Sequence, residues 1–494
     1  MEKFLSDKSI FFRWQTFWLL VIYFAIRLVS YFLAEHIIIQ GILVFFILML
    51  LGILYFKNPE WAWYLVISEI FLGGSGHYLE FIGLSIRTLL IGFFLFLWIA
   101  HHLGQREFFQ HIKINKQLIC ILTALFFFLI VSMVNGLYHE HEFIQVVRDI
   151  LPFTFLFLIF PCYHLFKQNY TQEFLARLIV VFIIGTAIFS LFTFILFSAG
   201  ITEIHDSFYT WYRDIDLGKV TDMMQGFFRV VEPGHLLVVP IILLITSLLC
   251  RNEKHHYMWR LLQLLAIIVL VLNLSRGYFL ALIIGLLILK YKHQWWKWAR
   301  ESATVIFLVI IMFSGIHLAA SNGSSLGWDL FGLRLQSFTN PGIEISTNTR
   351  LMILPEIINL IKQNPILGVG LGANVTFINT ATYETMTTPA FDWGYLEMWT
   401  EMGIFGALTL IILYAFVAYM LVYKIQKVPN WHDFDVGLLA GIIAFLVMNI
   451  TIPALFHVFG ILYLIFAITI AVKYTSIFEQ TTALLYRIFN RLKT

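Results

Sequence analysis

Charge is scarce in this chain. Asp, Glu, Lys and Arg make up 12% of its 494 residues, and the formal net charge is only +3. That balance gives no case for nucleic acid as a partner. Cysteine is scarcer still. Cys120, Cys162 and Cys250 are the only three, all in or beside apolar runs. An odd number so placed argues against a disulfide framework. No small-residue cleavage site follows the first apolar run, so we expect a retained first span rather than a removed signal peptide. "GVGLG" lacks the Lys-Ser/Thr ending of a Walker loop, which argues against ATP chemistry. No repeat relates the two halves, as one does in many transporters. His235, His317 and His457 stand alone, without ligand-like spacing, so no metal and no cofactor is expected.

What is abundant is apolar surface. Hydrophobic residues make up 60% of the chain, and Phe alone occurs 50 times. A soluble protein of this length could not hide so much. A spanning helix needs about 20 mostly apolar residues. Runs near that length occupy 16–33, 37–56, 61–72, 81–100, 118–135, 150–167, 175–199, 234–250, 259–273, 277–292, 303–319, 398–423, 436–452 and 455–473. The expected fold is all-α, a polytopic integral membrane protein with about fourteen transmembrane helices and both termini on one side.

Loop cations orient it. Arg106, Lys113 and Lys116 share one connection. Arg251, Lys254 and Arg260 share another. Lys290, Lys292, Lys297 and Arg300 fall in a third, and Lys424 and Lys427 in a fourth. These connections alternate, and with Arg487, Arg491 and Lys493 of the tail they mark the cytoplasmic side. Residues 1–199 then form an N-terminal transmembrane bundle, 200–233 an extracytoplasmic loop, and 234–319 the central transmembrane helices. Residues 320–397 form a long extracytoplasmic loop, 398–474 the C-terminal helices, and 475–494 a cytoplasmic amphipathic tail. Within the long loop, "TRLMILPEIINLIKQNP" spaces Leu351, Leu354, Ile357, Ile358 and Ile361 as a helix would, at the membrane–water interface.

Arg276 interrupts two apolar runs in "NLSRGYFLAL". In this topology it lies at the outer end of two short spans, not at mid-membrane, which removes most of the burial cost of a fixed cation. Arg229, Glu232 and His235 of "FFRVVEPGHLLVVP", Arg350 and Asp392 fall at the same level. Arginines gathered at an outer rim suit a diphosphate, because the guanidinium fork matches oxyanion pairs. Apolar walls suit a lipid tail. Each residue also has a plainer reading. Arg276 could anchor at the headgroups. Glu232 could cap a re-entering helix and Asp392 the helix after it.

"SRGYFLALIIGLLIL", "TRLMILPEIINLIKQNPILGVGLG" and "DWGYLEMWTEMGIFG" resemble the three signature stretches of the O-antigen ligase/O-antigen polymerase superfamily of bacterial membrane glycosyltransferases. "FRVVEPGHLLVVP" resembles that family's earlier re-entry segment. The resemblance implies metal-independent, inverting glycosyl transfer at the extracytoplasmic face of the bacterial inner membrane. The implied donor is a glycan on polyprenyl diphosphate. The acceptor would be another lipid-linked unit for a polymerase, or lipid A–core for a ligase. By position, Arg276 and Arg350 match the arginines that engage the donor diphosphate, with Arg229 a third candidate. Asp392 stands where many ligases carry a histidine, which favours a polymerase. Asp392 and Glu232 are the candidate carboxylates for orienting the acceptor hydroxyl. Expected partners are the lipid-linked donor, a glycan or lipid acceptor, the bilayer, and a chain-length regulator or flippase of the same pathway. The alternative is a lipid-linked glycan flippase or other transporter, which should place polar residues near mid-membrane as well as at one face.

Overall fold

The structure is a computed structural model that describes residues 13–74, 76–81, 83–103, 115–165, 169–251, 256–336, 345–378, 384–427 and 433–472. The tail 475–494 and the cations Arg106, Lys113 and Lys254 lie outside the described residues.

A helix lies on each apolar run. In order they are α1 Trp14–Leu33, α2 Ile37–Lys57, α3 Pro59–Leu72, α4 Ile86–Leu103, α5 Lys116–Tyr138, α6 Phe143–Thr154, α7 Ile159–Leu165 and α8 Asn169–Ser198. A short loop helix, α9 Ser207–Asp214, precedes α10 Val238–Leu249, α11 His256–Asn273, α12 Arg276–Leu289 and α13 Trp295–Ala320. The second long loop carries α14 Trp328–Gln336 and α15 Ile345–Gln363, and the chain continues in α16 Gly394–Lys427, α17 Asp433–Met448 and α18 Val458–Val472. Among the described residues, 7 helices are long and apolar enough to cross a membrane. Five shorter apolar helices accompany them: Ile86–His102, Pro233–Leu249, Tyr257–Asn273, Arg276–Leu289 and Val458–Ala471.

Both long loops contain strands that apolar periodicity did not reveal. β1 Glu80–Phe81 pairs with β2 Leu84–Ser85 ahead of α4. β3 Lys219–Asp222 pairs antiparallel with β4 Phe228–Val231, setting Arg229 opposite Thr221. β5 Val375–Ile378 pairs with β6 Thr385–Thr388 in the second loop.

Two apolar cores result. The larger fills the helix bundle, where α17 packs against α10 and α12, and α16 against α5. The smaller lies in the second loop. There α15 buries Ile353, Ile357 and Ile361 against Val375, Phe377 and Phe391. The stripe at every fourth residue faces the loop's own hairpin. Leu351 and Ile358, on another face of α15, stay exposed.

Helix α16 is broken rather than continuous. Gly403 has φ 67° and ψ 177°, outside helical space. The break releases the carbonyls of Thr400 and Glu401, which need partners inside a span. The glycine-rich turn after α15 supplies them. Val369 N donates to Thr400 O (2.7 Å) and Gly370 N to Glu401 O (3.2 Å), and Ser132 Oγ donates to Glu401 O as well (2.6 Å).

Arg27 and Arg87, buried in apolar runs, pair internally. Arg27 donates to the carbonyls of Tyr23 and Leu72. Arg87 grips Glu69 through Nε and Nη2.

Candidate functional site

The rim is built at helix ends. Helices α11 and α12 are joined at Leu274–Ser275, with Arg276 the first residue of α12 and half-buried. Arg229, on β4, donates through Nε to the Asn273 carbonyl at 2.6 Å. The two arginines are therefore tied to one junction, Arg229 by hydrogen bond and Arg276 by three residues of chain.

Arg350 and Asp392 come from the second loop. Arg350 Nε lies 3.7 Å from Asp392 Oδ2, an ion pair too long to be a hydrogen bond. Trp393 Nε1 donates to the Arg350 carbonyl (3.2 Å), which fixes the α15 backbone against the start of α16. Asp392 has φ +56°, in the left-handed region. Because α16 begins at Gly394, Asp392 lies one residue outside the cap position, and its backbone is not the extended one that a capping residue uses.

Arg276 and Asp392 each adjoin a glycine packed on one turn. A Cβ on Gly277 would strike the Thr451 hydroxyl, and one on Gly394 would lie 2.6 Å from the Asn449 and Ile452 carbonyls. The turn between α17 and α18 is thus held between the first residues of α12 and of α16. That contact brings Arg276 and Asp392 to the same end of the bundle.

The "GVGLG" turn is an internal dock. Gly368, Gly370 and Gly372 have φ of 74°, 98° and 79°, and added Cβ atoms would run into Glu401, Gly136 and Val146. Asn135 Nδ2 donates to Gly368 O (2.5 Å), Leu371 N to Ser132 O (3.1 Å), and His141 Nδ1 to Leu371 O (2.8 Å). Its glycines serve close backbone approach.

The dock also holds carboxyls that pattern reading passed over. Gly372 N donates to Asp149 Oδ2 at 2.7 Å. The Asp149 and Glu401 carboxyls lie within interaction range of each other. Arg148, Asp149, Met398, Glu401, Phe456 and His457 line a cavity there. Glu397 lies one helical turn before Glu401, and its Oε2 is buried without a hydrogen-bond partner among the described residues. The available signal was two glutamates four apart inside an apolar helix, since ionisable residues in a span default to a functional hypothesis.

Glu232 is 4% exposed, beneath the rim rather than on it. Its Oε1 accepts from Tyr212 OH (3.1 Å) and Ser190 Oγ (3.4 Å). The His235 imidazole reaches back to the Glu232 N–H (3.3 Å), one half of a capping box. Burial pushes the Glu232 carboxyl up to about 7, opposed by the Arg27 guanidinium and by the Tyr212 and Ser190 hydrogen bonds. A folded pKa above the unfolded one means that the folded state holds the proton longer. Its contribution to stability is present below about 4.5 and is lost as pH rises through about 7. We expect Glu232→Gln, which stays neutral and keeps both donors, to flatten thermal stability over that window. A wild-type melting temperature that does not fall between those pH values, relative to Glu232→Gln, would contradict the assignment.

Among the described residues no group of three or more His, Cys, Asp or Glu side chains could hold a metal ion. Opposite the rim, cations pair with buried acids: Lys424 with Asp435 (2.8 Å), and Arg260 with Glu301.

No curated protein matches the chain. The O-antigen ligase family does, over residues 261–411. That stretch holds Arg276, Arg350, the glycine dock and Asp392, and over it the chain is similar to the O-antigen ligase family.

Proposed function

We propose that this protein is a bacterial inner-membrane glycosyltransferase that moves a glycan from a polyprenyl diphosphate at the extracytoplasmic face, as a polymerase of surface polysaccharide. The observation that carries this reading is the turn held between Gly277 and Gly394, which sets Arg276 and Asp392 at one rim. Arg276, Arg350 and Arg229 bind the donor diphosphate and stabilise it as it leaves, where fixed charge acts without reorganisation. Asp392 orients or deprotonates the acceptor hydroxyl. Beneath the re-entry segment, Phe71, Ile179, Leu237, Pro240, Phe459 and Leu462 line an apolar groove suited to the prenyl tail. The displacement inverts the anomeric centre and needs no metal, since the guanidinium forks neutralise the leaving group. Both termini are cytoplasmic in this reading.

Two measurements test it. In a cysteine-free background, a single cysteine at exposed Ser324 reacts with a membrane-impermeant maleimide in outer-membrane-permeabilised cells, and one at exposed Lys292 does not. The reverse pattern would put the rim in the cytoplasm and end the proposal. Purified protein given a lipid-linked oligosaccharide should return longer lipid-linked products. Transfer only to lipid A–core would make it a ligase, and movement across vesicles without bond formation would make it a flippase.

A further inference from the structure

Behind the arginines lies a fully buried set of polar side chains that touches no proposed substrate position. Asn273 and His235 are 0% and 1% exposed. Their contacts fix their chemistry. His235 Nδ1 faces the backbone N–H of Glu232 (3.3 Å), and a backbone nitrogen can only donate. Nδ1 is therefore the acceptor and Nε2 carries the hydrogen, which points to Ser190 Oγ (3.1 Å). Ser190 passes its own hydrogen to Glu232 Oε1. The Asn273 group 3.0 Å from His235 Nδ1 must then be its NH2 end.

This orientation has a cost that structure alone does not repay. Asn273 Oδ1 is left buried without a hydrogen-bond partner among the described residues. The next residue, Leu274, is held at φ +46°, a conformation that non-glycine residues adopt only under strain. The strained junction has two outputs. The Asn273 carbonyl takes Arg229 Nε, and the chain turns at Leu274–Ser275 into Arg276. Arg229 also lies within electrostatic reach of Tyr278, on the first turn of α12.

We propose that His235 and Asn273 are positioning residues that lock the α11–α12 junction so that Arg229 and Arg276 act as one clamp on a diphosphate. The proposal rests on the reading of those arginines as diphosphate ligands. The His235–Asn273 bond joins the re-entry segment to the last residue of α11, so the spacing of the two guanidiniums is set below the site. Rigid support of this kind lowers the entropy lost when an anion binds.

The test is binding of farnesyl diphosphate to the detergent-purified full chain by calorimetry. Arg276→Ala should weaken binding at least about tenfold. His235→Ala and Asn273→Ala should each weaken it about tenfold, the low end for groups that orient a binding side chain. His235→Asn, which keeps an acceptor toward Asn273, should restore most of the loss. A merely structural histidine predicts no such rescue. Either alanine change combined with Arg229→Ala should be less than additive, because it acts through the same guanidinium. If His235→Ala does not fold, Asn273→Ser carries the same comparison. Wild-type binding in folded Asn273→Ala, beside lost binding in Arg276→Ala, would overturn the positioning role alone. Undiminished binding in Arg276→Ala would overturn the diphosphate reading and this inference with it.

Discussion

Arg276→Ala and Arg350→Ala should each reduce glycan transfer by about 10²–10³-fold, the usual loss when one donor to a developing anion is removed. Both variants should insert and fold. Arg276 is the first residue of α12, where the helix's positive end favours an anion and not a cation. Nothing in helix energetics calls for arginine there, so alanine should leave α12 as stable or slightly more so. A bound phosphate would meet both the guanidinium and the positive end of the helix dipole. Among the described residues the Arg350 side chain pairs only with a half-exposed Asp392, at 3.7 Å, and such pairs contribute about 0–1 kcal/mol. Lysine at either position should recover little, because an ammonium cannot reproduce the two parallel bonds of the fork. The measurement is initial transfer rate from a lipid-linked donor at matched amounts of folded protein. Full activity in Arg276→Ala would leave only an interfacial anchor.

How much of this was legible depends on the range of the interaction. The helices were, because a run such as Ile37–Lys57 can satisfy its backbone in lipid only as a helix. Arg276, Arg350 and Asp392 were singled out because a lone charge beside an apolar run stands out locally. The contact that gathers two of them was not, since it depends on Thr451 and Asn449 approaching Gly277 and Gly394 from a distant turn. The "GVGLG" glycines announced a tight turn, but not its partners on α5 and α16. Glu401 was overlooked because it is one letter in an apolar helix. Asp149, its partner, is far away in sequence and is brought to it by the same dock. The break at Gly403 is equally silent, since a glycine inside a helical pattern is usually tolerated. Glu232 looked like a possible base from its place in the re-entry segment. Only the folded structure shows it enclosed by Tyr212, Ser190 and His235.

Asp392→Asn should slow transfer by about 10²-fold or more, the lower bound for lost acid–base participation, with little change in stability. The left-handed backbone at this position makes the comparison clean. Asp, Asn and His are the side chains that enter this region most readily, so asparagine keeps the geometry and removes the charge and the basicity. Asp392→His should therefore fold and recover part of the activity, since neutral imidazole is a base near pH 7. Alanine is different. It should lose activity and also about 1–2 kcal/mol, from forcing an ordinary side chain into left-handed space rather than from a missing cap. The decisive quantity is the initial rate of Asp392→Asn, read beside its melting temperature. An asparagine variant as fast as wild type would make the position a backbone requirement only. The base would then have to be sought one turn into α16, at Glu397, whose Oε2 is buried without a hydrogen-bond partner among the described residues, or at the Asp149–Glu401 pair behind it.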